Sequence, residues 1–357
     1  MSGLRLDVDL DKIAANAREL VTRFAARGIS ITGVTKAMLG PPALARALLD
    51  SGVAMVADSR MDSVERMRDD GIDAPILLLR SPAPSEIERV IRSGVTSANT
   101  ELGVLTLLGS AARTVGRVHD VMVMVELGDL REGVLPTDLD ETVRHVLGLP
   151  SLRLTGLGTN LACRSGVAPS DDNMGQLSSL VDAVEARFGI EISTVSGGNS
   201  ANVTWALDTA ETGRINDLRL GEAILLGREP LQRQPILGLH TDAVSLVAEV
   251  IESKRKPTRP WGQLGQNAFG LTASLDASVV EDRGEIWQTI LAVGRNDTEP
   301  DDLQPPAGVE ILAASSDHLI TETGERMQPG DAIRFSPGYA ALLRSMTSPF
   351  VAKEFSG

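Results

Sequence analysis

Ile31-Thr-Gly-Val-Thr-Lys-Ala37 is a short β-branched run with a lysine near its end, and runs of the same kind recur down the first two-thirds of the chain. Short apolar runs without polar alternation are what a strand buried on both faces requires, as in a parallel sheet. Seven more candidates follow, at 53–59, 75–80, 94–99, 118–127, 152–161, 192–199 and 218–226. Between them apolar residues return three and four positions apart, as in Leu102, Leu105 and Leu108, or Leu177, Leu180, Val181 and Val184. That spacing places one apolar face on a helix. Eight successive strand–helix units predict an α/β fold, a (β/α)8 barrel of the TIM type. A doubly wound open sheet is the alternative, but no dinucleotide-binding glycine fingerprint follows the first strand.

The pattern changes after Pro230. Strand-like runs at 243–251, 286–293, 310–314 and 332–335 are separated by Lys256-Pro-Thr-Arg-Pro-Trp-Gly262 and Asp297-Thr-Glu-Pro-Asp-Asp302, which are turn-rich connections. The expected division is a barrel over 10–232 and a mostly β domain over 233–357, with residues 1–9 available to pair into the second.

The 357 residues, 42% hydrophobic and 23% charged, have ordinary globular composition and enough length for a barrel plus a smaller domain. A formal charge of −14 and the lack of a basic cluster with interleaved aromatics argue against a nucleic-acid partner. The first residues lack the basic and apolar regions of a signal peptide, and no apolar stretch is long enough to span a bilayer, so a cytoplasmic protein without a membrane partner is expected. One cysteine, Cys163, excludes an internal disulfide, and four scattered histidines without metal-ligand spacing lead us to expect no metal.

Lys36 is one of five lysines. Lys12, Lys254, Lys256 and Lys353 lie among charged or polar neighbours, whereas Lys36 closes an apolar run. A strand-end lysine often reaches solvent along its methylene stem. Desolvated, it has a lowered pKa and becomes suited to Schiff-base chemistry. Catalytic groups of such barrels lie at the C-terminal ends of the strands. That rule selects Lys36, Asp58-Ser-Arg60, Arg80, Asn99, Glu126-Leu-Gly-Asp-Leu-Arg131, Thr159-Asn160, Ser196-Gly-Gly-Asn-Ser200 and Arg219-Leu-Gly-Glu222. The Gly-Gly loop after the seventh strand and Gly221-Glu222 in the eighth unit stand where barrels commonly bind phosphate through backbone N–H groups. An aldehyde carrying a phosphate unites them with the isolated lysine, and pyridoxal 5'-phosphate fits that description.

These segments, with Val34-Thr-Lys-Ala37, Leu78-Leu-Arg-Ser-Pro82, Gly158-Thr-Asn-Leu-Ala-Cys163, Leu218–Glu229 and Ser315-Ser-Asp-His318, give the chain its resemblance to the alanine/ornithine racemase family of fold-type III pyridoxal-phosphate enzymes. The chain is most similar to the ornithine racemase branch. The resemblance covers nearly its whole length. It implies a cofactor-bearing barrel, a C-terminal β domain, and a homodimer in which that domain covers the partner's active site. It makes Lys36 the Schiff-base lysine and places Arg219 against the pyridine nitrogen. Asn160 falls beside the cofactor ring. Asn199, Ser200, Gly221, Glu222 and Tyr339 match phosphate-binding positions, and Arg131 matches an arginine near the substrate carboxylate.

Two departures follow from the same resemblance. Met124 stands where many alanine racemases have a modified lysine that steadies this arginine, so another group, with Glu126 as the candidate, must orient Arg131. The tyrosine that serves alanine racemases as second acid/base is missing, because Val293-Gly-Arg-Asn-Asp297 offers Arg295 and Tyr339 is the chain's one tyrosine. His318, Asp317 and Cys163 are the candidates for that role, with His318 first because its unperturbed pKa lies near neutrality and Cys163 read more readily as a small buried residue. The expected activity is amino-acid racemisation by removal and return of the Cα proton, on ornithine, another basic amino acid or a broader set. Asp58, Glu101, Glu126 and Asp317 are candidates to receive a distal ammonium. A non-catalytic pyridoxal-phosphate carrier, a decarboxylase or an aldolase are the alternatives.

Overall fold

A computed structural model of the chain describes residues 3–263, 265–266 and 282–357. They fall into two compact units, one formed by residues 10–243 and the other by the N-terminal residues up to Asp9 together with the chain from Val244 onward. After strand β1 (Arg5–Asp9), helix α1 (Leu10–Ala25) opens the first unit. Eight parallel strands then close into a barrel in chain order: β2 (Ser30–Val34), β3 (Met55–Asp58), β4 (Ile76–Leu78), β5 (Thr96–Asn99), β6 (His119–Val125), β7 (Leu152–Thr159), β8 (Thr194–Ser196) and β9 (Asp217–Leu220). Helices follow them as α2 (Pro42–Asp50), α3 (Met61–Asp69), α4 (Ile87–Ser93), α5 (Leu102–Thr114), α6 (Leu139–Leu147), α7 (Asp171–Phe188), α8 (Asn202–Asp208) and α9 (Glu222–Leu226). The expected (β/α)8 barrel is the observed one.

Local chemistry accounts for the element ends. Pro42, which has no N–H to leave unpaired, begins α2. Ser170 accepts from the N–H of Asn173 while the Asn173 side chain accepts from the N–H of Ser170, a reciprocal cap that starts α7. Inside the barrel Val34, Ala57 and Leu77 form one cluster, and Ala98, Met122 and Met124 another. Gly158 on β7 is required by the second: a Cβ there would lie 3.2 Å from the sulfurs of both Met122 and Met124. Met124 thus fills barrel volume rather than meeting a charge.

Each expected barrel run extends past its strand, and two of them run on into helical turns. The run 31–37 leaves the sheet after Val34, and Lys36 begins a single 3-10 turn, Lys36–Met38. The run 218–226 is strand only to Leu220; the fully apolar stretch Ala223–Leu226 belongs to α9 and is buried on all sides, where periodicity cannot tell helix from strand. Segment 233–243 stays with the barrel unit, because Asn16 on α1 donates to the carbonyls of Ile224 (3.0 Å) and His240 (2.9 Å) and accepts from the N–H of His240.

The second unit is an eight-stranded sheet. Its path is β12 (Leu303–Gln304), β15 (Ala332–Pro337), β10 (Val244–Pro257), β11 (Glu285–Leu291), β14 (Leu319–Thr323) and β13 (Val309–Ala314). Strand β1 pairs antiparallel with β10 and parallel with β16 (Ala352–Ser356). Helix α10 (Tyr339–Thr347) is capped by Asp302, which accepts from the N–H groups of Ala340 (2.7 Å) and Ala341 (3.0 Å). Among the described residues, no helix is long and apolar enough to cross a membrane, and no group of three or more His, Cys, Asp or Glu side chains is arranged to hold a metal.

Candidate active site

Lys36 stands at the C-terminal mouth of the barrel because the strand before it is pinned to its neighbour. Thr35, fully buried, donates through its hydroxyl to Asp58 Oδ2 (2.8 Å) and through its N–H to the carbonyl of Ala57 (2.9 Å). Burial lowers the Lys36 pKa below the ordinary lysine value. A Cys163 thiolate would favour the ammonium, while the charges of Arg131 and Arg219 oppose it and Asp58 supports it. Those five residues therefore form one electrostatic cluster.

Arg219, 4% exposed, is held by neutral oxygens: Nη2 donates to the carbonyl of Thr159 (2.5 Å) and Nη1 to Ser196 Oγ (2.5 Å). The Ser196 hydroxyl donates in turn to Asp217 Oδ2, whose other oxygen accepts from Thr32 Oγ1 at 2.7 Å. Burial raises the Asp217 pKa against the opposing effect of these hydrogen bonds and of Arg219. An arginine reached through a serine, rather than paired directly with a carboxylate, keeps its orientation without surrendering its charge. Glu222, in the same unit, binds Arg233.

Two loops stand together across β6 and β7. Asp129, fully buried, accepts from the N–H groups of Cys163 (3.1 Å), Arg164 (2.9 Å) and Ser165 (3.0 Å), and Ser165 Oγ donates to its carbonyl. Burial works to raise the Asp129 pKa, but the backbone donors outweigh it and hold the carboxyl low. Leu130 and Ala162, one in each loop, adopt positive φ of 56° and 60°, a strained setting for residues with a Cβ. Cys163 is exposed, not buried as its size suggested. Asn199 Nδ2 donates to Asn160 Oδ1 (3.1 Å) and to the carbonyl of Leu161 (2.8 Å), and lies 3.6 Å from Cys163 Sγ. Asn160 Nδ2 is buried and has no partner among the described residues.

The Arg131 guanidinium lies on the Glu132 carboxylate. Glu126 does a different task from the one expected of it, accepting from the backbone N–H groups of Gly128 (2.6 Å) and Arg131 (3.2 Å) and so shaping the loop. The Gly-Gly loop is tightly built: a Cβ on Gly198 (φ 148°) would meet Asn202 Oδ1 at 2.1 Å, and one on Gly197 would meet Ile215 at 2.6 Å. Ser200 Oγ accepts from the N–H groups of Gly221 (3.3 Å) and Ala223 (3.0 Å), which joins the seventh and eighth units.

His318, Asp317 and Tyr339 belong to the second unit. His318 is exposed in the turn between β13 and β14, where Ser315 Oγ accepts from its N–H at 3.1 Å. Asp317 accepts from Asn296 Nδ2 (3.1 Å) and from Ser316 Oγ (2.7 Å). Gly294 lets the Arg295 segment approach this turn, since a Cβ on it would meet the Ser316 carbonyl at 2.2 Å. Tyr339 is the first residue of α10.

Of the carboxylates considered for a distal ammonium, Asp58 is fully engaged, accepting from the N–H groups of Ser59 and Arg60 as well as from Thr35. Asn99 donates to Ser97 Oγ (2.9 Å) in a buried set that includes His119. Glu101, at the end of the strand-five loop, is exposed and makes no side-chain bond among the described residues.

The sequence profile of the alanine racemase N-terminal domain matches residues 8–229. The chain belongs to the alanine racemase family. Within it, the chain is 35% identical over 356 residues to an ornithine racemase of Acetoanaerobium sticklandii, spanning 98% of this chain and 99% of that protein. It is 36% identical to a lysine racemase of Thermotoga maritima, spanning 98% of each. Among solved structures, an alanine racemase from Streptomyces lavendulae superposes with a TM-score of 0.76 at 18% identity, covering 100% of this chain and 98% of that one. A histidine racemase from Leuconostoc mesenteroides superposes at 0.73 and 16%, again covering 100% and 98%. At these identities the superpositions establish the shared fold, barrel and β domain together.

In this member of the alanine racemase family the supporting residues Thr32, Thr35 and Asp217 escape a sequence reading centred on strand ends, which selects Ser196 only as part of the Gly-Gly loop. Their signal was present as buried polar side chains inside otherwise apolar runs. Each such group needs a partner: Thr32, Ser196 and Asp217 bond one another and Arg219, and Thr35 bonds Asp58.

Proposed function

We propose that this chain is a pyridoxal 5'-phosphate-dependent racemase of basic amino acids and that it works as a homodimer. The observation that carries the reading is the full-length likeness to two racemases, each named for a diamino acid. The residues present fit the cofactor. Lys36 is a desolvated amine for its aldehyde, and Asn160 Nδ2 is a buried donor still lacking an acceptor. Gly221, where a Cβ would come within 3.2 Å of Val34 Cβ, and Ser200, whose hydroxyl it meets at 3.3 Å, are the backbone and hydroxyl assigned to the phosphate. Asn199 and Glu222 are assigned to the same phosphate, and Arg219 to the ring nitrogen, where it brings a fixed charge.

When bound, the cofactor withdraws electrons from the substrate and so acidifies its Cα hydrogen. Lys36 Nζ, whose pKa burial lowers in favour of the neutral amine, takes that proton and returns it. Arg131 binds the substrate carboxylate, exchanging it for the Glu132 carboxylate that occupies it here. Glu101 is the free acidic group assigned to the distal ammonium. Arg219 opposes protonation of the ring nitrogen, which keeps the reaction to proton removal and return. A second acid/base on the other face of Cα comes from Cys163, Asp317 or His318.

A screen of the common amino acids in deuterated water, read by chiral chromatography and mass spectrometry, tests the reading. Interconversion of ornithine or lysine enantiomers with deuterium gained at Cα is expected. Interconversion of no basic amino acid overturns it.

A further inference from the structure

We infer that Cys163 is the barrel's own second acid/base, acting at Cα opposite Lys36; this rests on the racemase reading above. Four observations carry it. The thiol is exposed, so a small molecule can reach it. It lies within the electrostatic cluster of Lys36, Arg131 and Arg219, the three cations assigned to the amine, the carboxylate and the ring. Its Sγ is 3.6 Å from Asn199 Nδ2, which also binds Asn160, the residue whose Nδ2 is buried without a partner among the described residues. Finally, the loop that bears it is fixed by three backbone N–H bonds into Asp129. A thiol needed only for packing has no use for an exposed position among three cations.

The charged groups around it are Lys36, Arg131, Arg164 and Arg219 on one side of the balance and Asp129 and Glu132 on the other. In one direction Lys36 Nζ, as the neutral amine, takes the Cα proton, and the Cys163 S–H bond breaks to place a proton on the opposite face of Cα. This leaves an ammonium and a thiolate. The reverse direction starts from that pair, with the thiolate as base and the ammonium as acid. A repeat turnover in the same direction needs only one proton passed from nitrogen to sulfur. No oxidant or reductant enters.

The test compares wild type with Cys163→Ala and Cys163→Ser as holoenzymes. Each enantiomer of ornithine or lysine is supplied separately in deuterated water. A wild type that neither interconverts nor exchanges defeats the racemase reading and with it this inference. With an active wild type, both variants are expected to lose interconversion by about 10²- to 10⁴-fold. They should still exchange the Cα hydrogen of the one enantiomer that Lys36 serves. Independently of turnover, iodoacetamide should alkylate Cys163 in the wild type, and saturating substrate should slow that alkylation at least about tenfold, a measure of access that general reactivity of the thiol does not mimic. Retained interconversion in folded variants overturns the inference. So does loss of exchange from both enantiomers, alkylation indifferent to substrate, or the one-sided pattern in His318→Ala with Cys163→Ala normal.

Discussion

Two histidines mark the contrast between the barrel and the corner of the β unit that carries His318. His119, 4% exposed at the start of β6, shares a 2.8 Å hydrogen bond with Ser97 Oγ, and burial lowers its pKa to about 4. His318 stands exposed on a turn, with Ser315 as its hydrogen-bond partner. The same division runs through the charged groups. In the barrel Lys36, Arg219, Asp217 and Asp129 are anchored by neighbouring strands and loops, and three of them have pKa values moved chiefly by burial. At the corner, Asp317 and His318 are anchored mainly through the turn itself. Preorganised groups in a low-dielectric setting are the ones whose chemistry differs from that of free side chains, so large functional effects should concentrate in the barrel.

Lys36→Ala should break that pattern most severely if it is wrong. Racemisation is expected to fall at least about 10⁴-fold, the upper range for loss of a general acid/base. In wild type, kcat in the direction in which Lys36 takes the proton should rise with pH along a limb set by Lys36, because only the neutral amine freed by substrate takes a proton. Since burial lowers the Lys36 pKa, that limb should lie below the ordinary lysine value of 10.5. A limb at or above that value, measured over the pH range in which the protein stays folded, contradicts the assignment.

Arg219→Ala should come next. It leaves the Thr159 carbonyl and Ser196 without their donor and removes the cation nearest buried Asp217. The expected loss is about 3–5 kcal/mol of folding stability, read by urea denaturation of the protein. A change below about 1 kcal/mol would mean that the Arg219–Ser196–Asp217 chain does not hold these strands together.

The histidine contrast has its own pH signature. An unfolded chain protonates His119 as pH falls below 6.5, whereas the folded barrel resists until about 4. The unfolded state therefore binds more protons in that window, and stability falls as pH drops through it, by about 3 kcal/mol in total. His119→Asn should flatten this dependence between wild type and variant, while His318→Ala should leave it unchanged. On the smallest scale, His318→Ala should alter stability by no more than about 0.5 kcal/mol, as exposed substitutions do, in the same denaturation measurement.

Strand order and the mouth of the barrel were legible because aliphatic and β-branched runs repeat eight times with helical spacing between them. Lys36 was legible as the exception at the end of the first run. The chain end of β9 was not, since Ala223–Leu226 is buried all round and carries no periodicity. Strand β14 was missed for a different reason. Its buried positions include Thr321 and Thr323, which meet Thr289 through hydroxyl bonds, 2.9 Å from Thr323 and, at one further step, 2.9 Å from Ser253. A strand whose inward face is threonine looks polar until its partners are known. The task of Glu126 was likewise hidden, because whether a loop carboxylate faces a guanidinium or its own backbone depends on the turn it makes.

Borohydride reduction of the holoenzyme followed by peptide mass spectrometry tests most directly that Lys36 is the group on which the chemistry is built. The account predicts the cofactor's mass fixed on the peptide containing Lys36 and absent in Lys36→Ala. The same mass on another lysine, or retained by the folded variant, would contradict it.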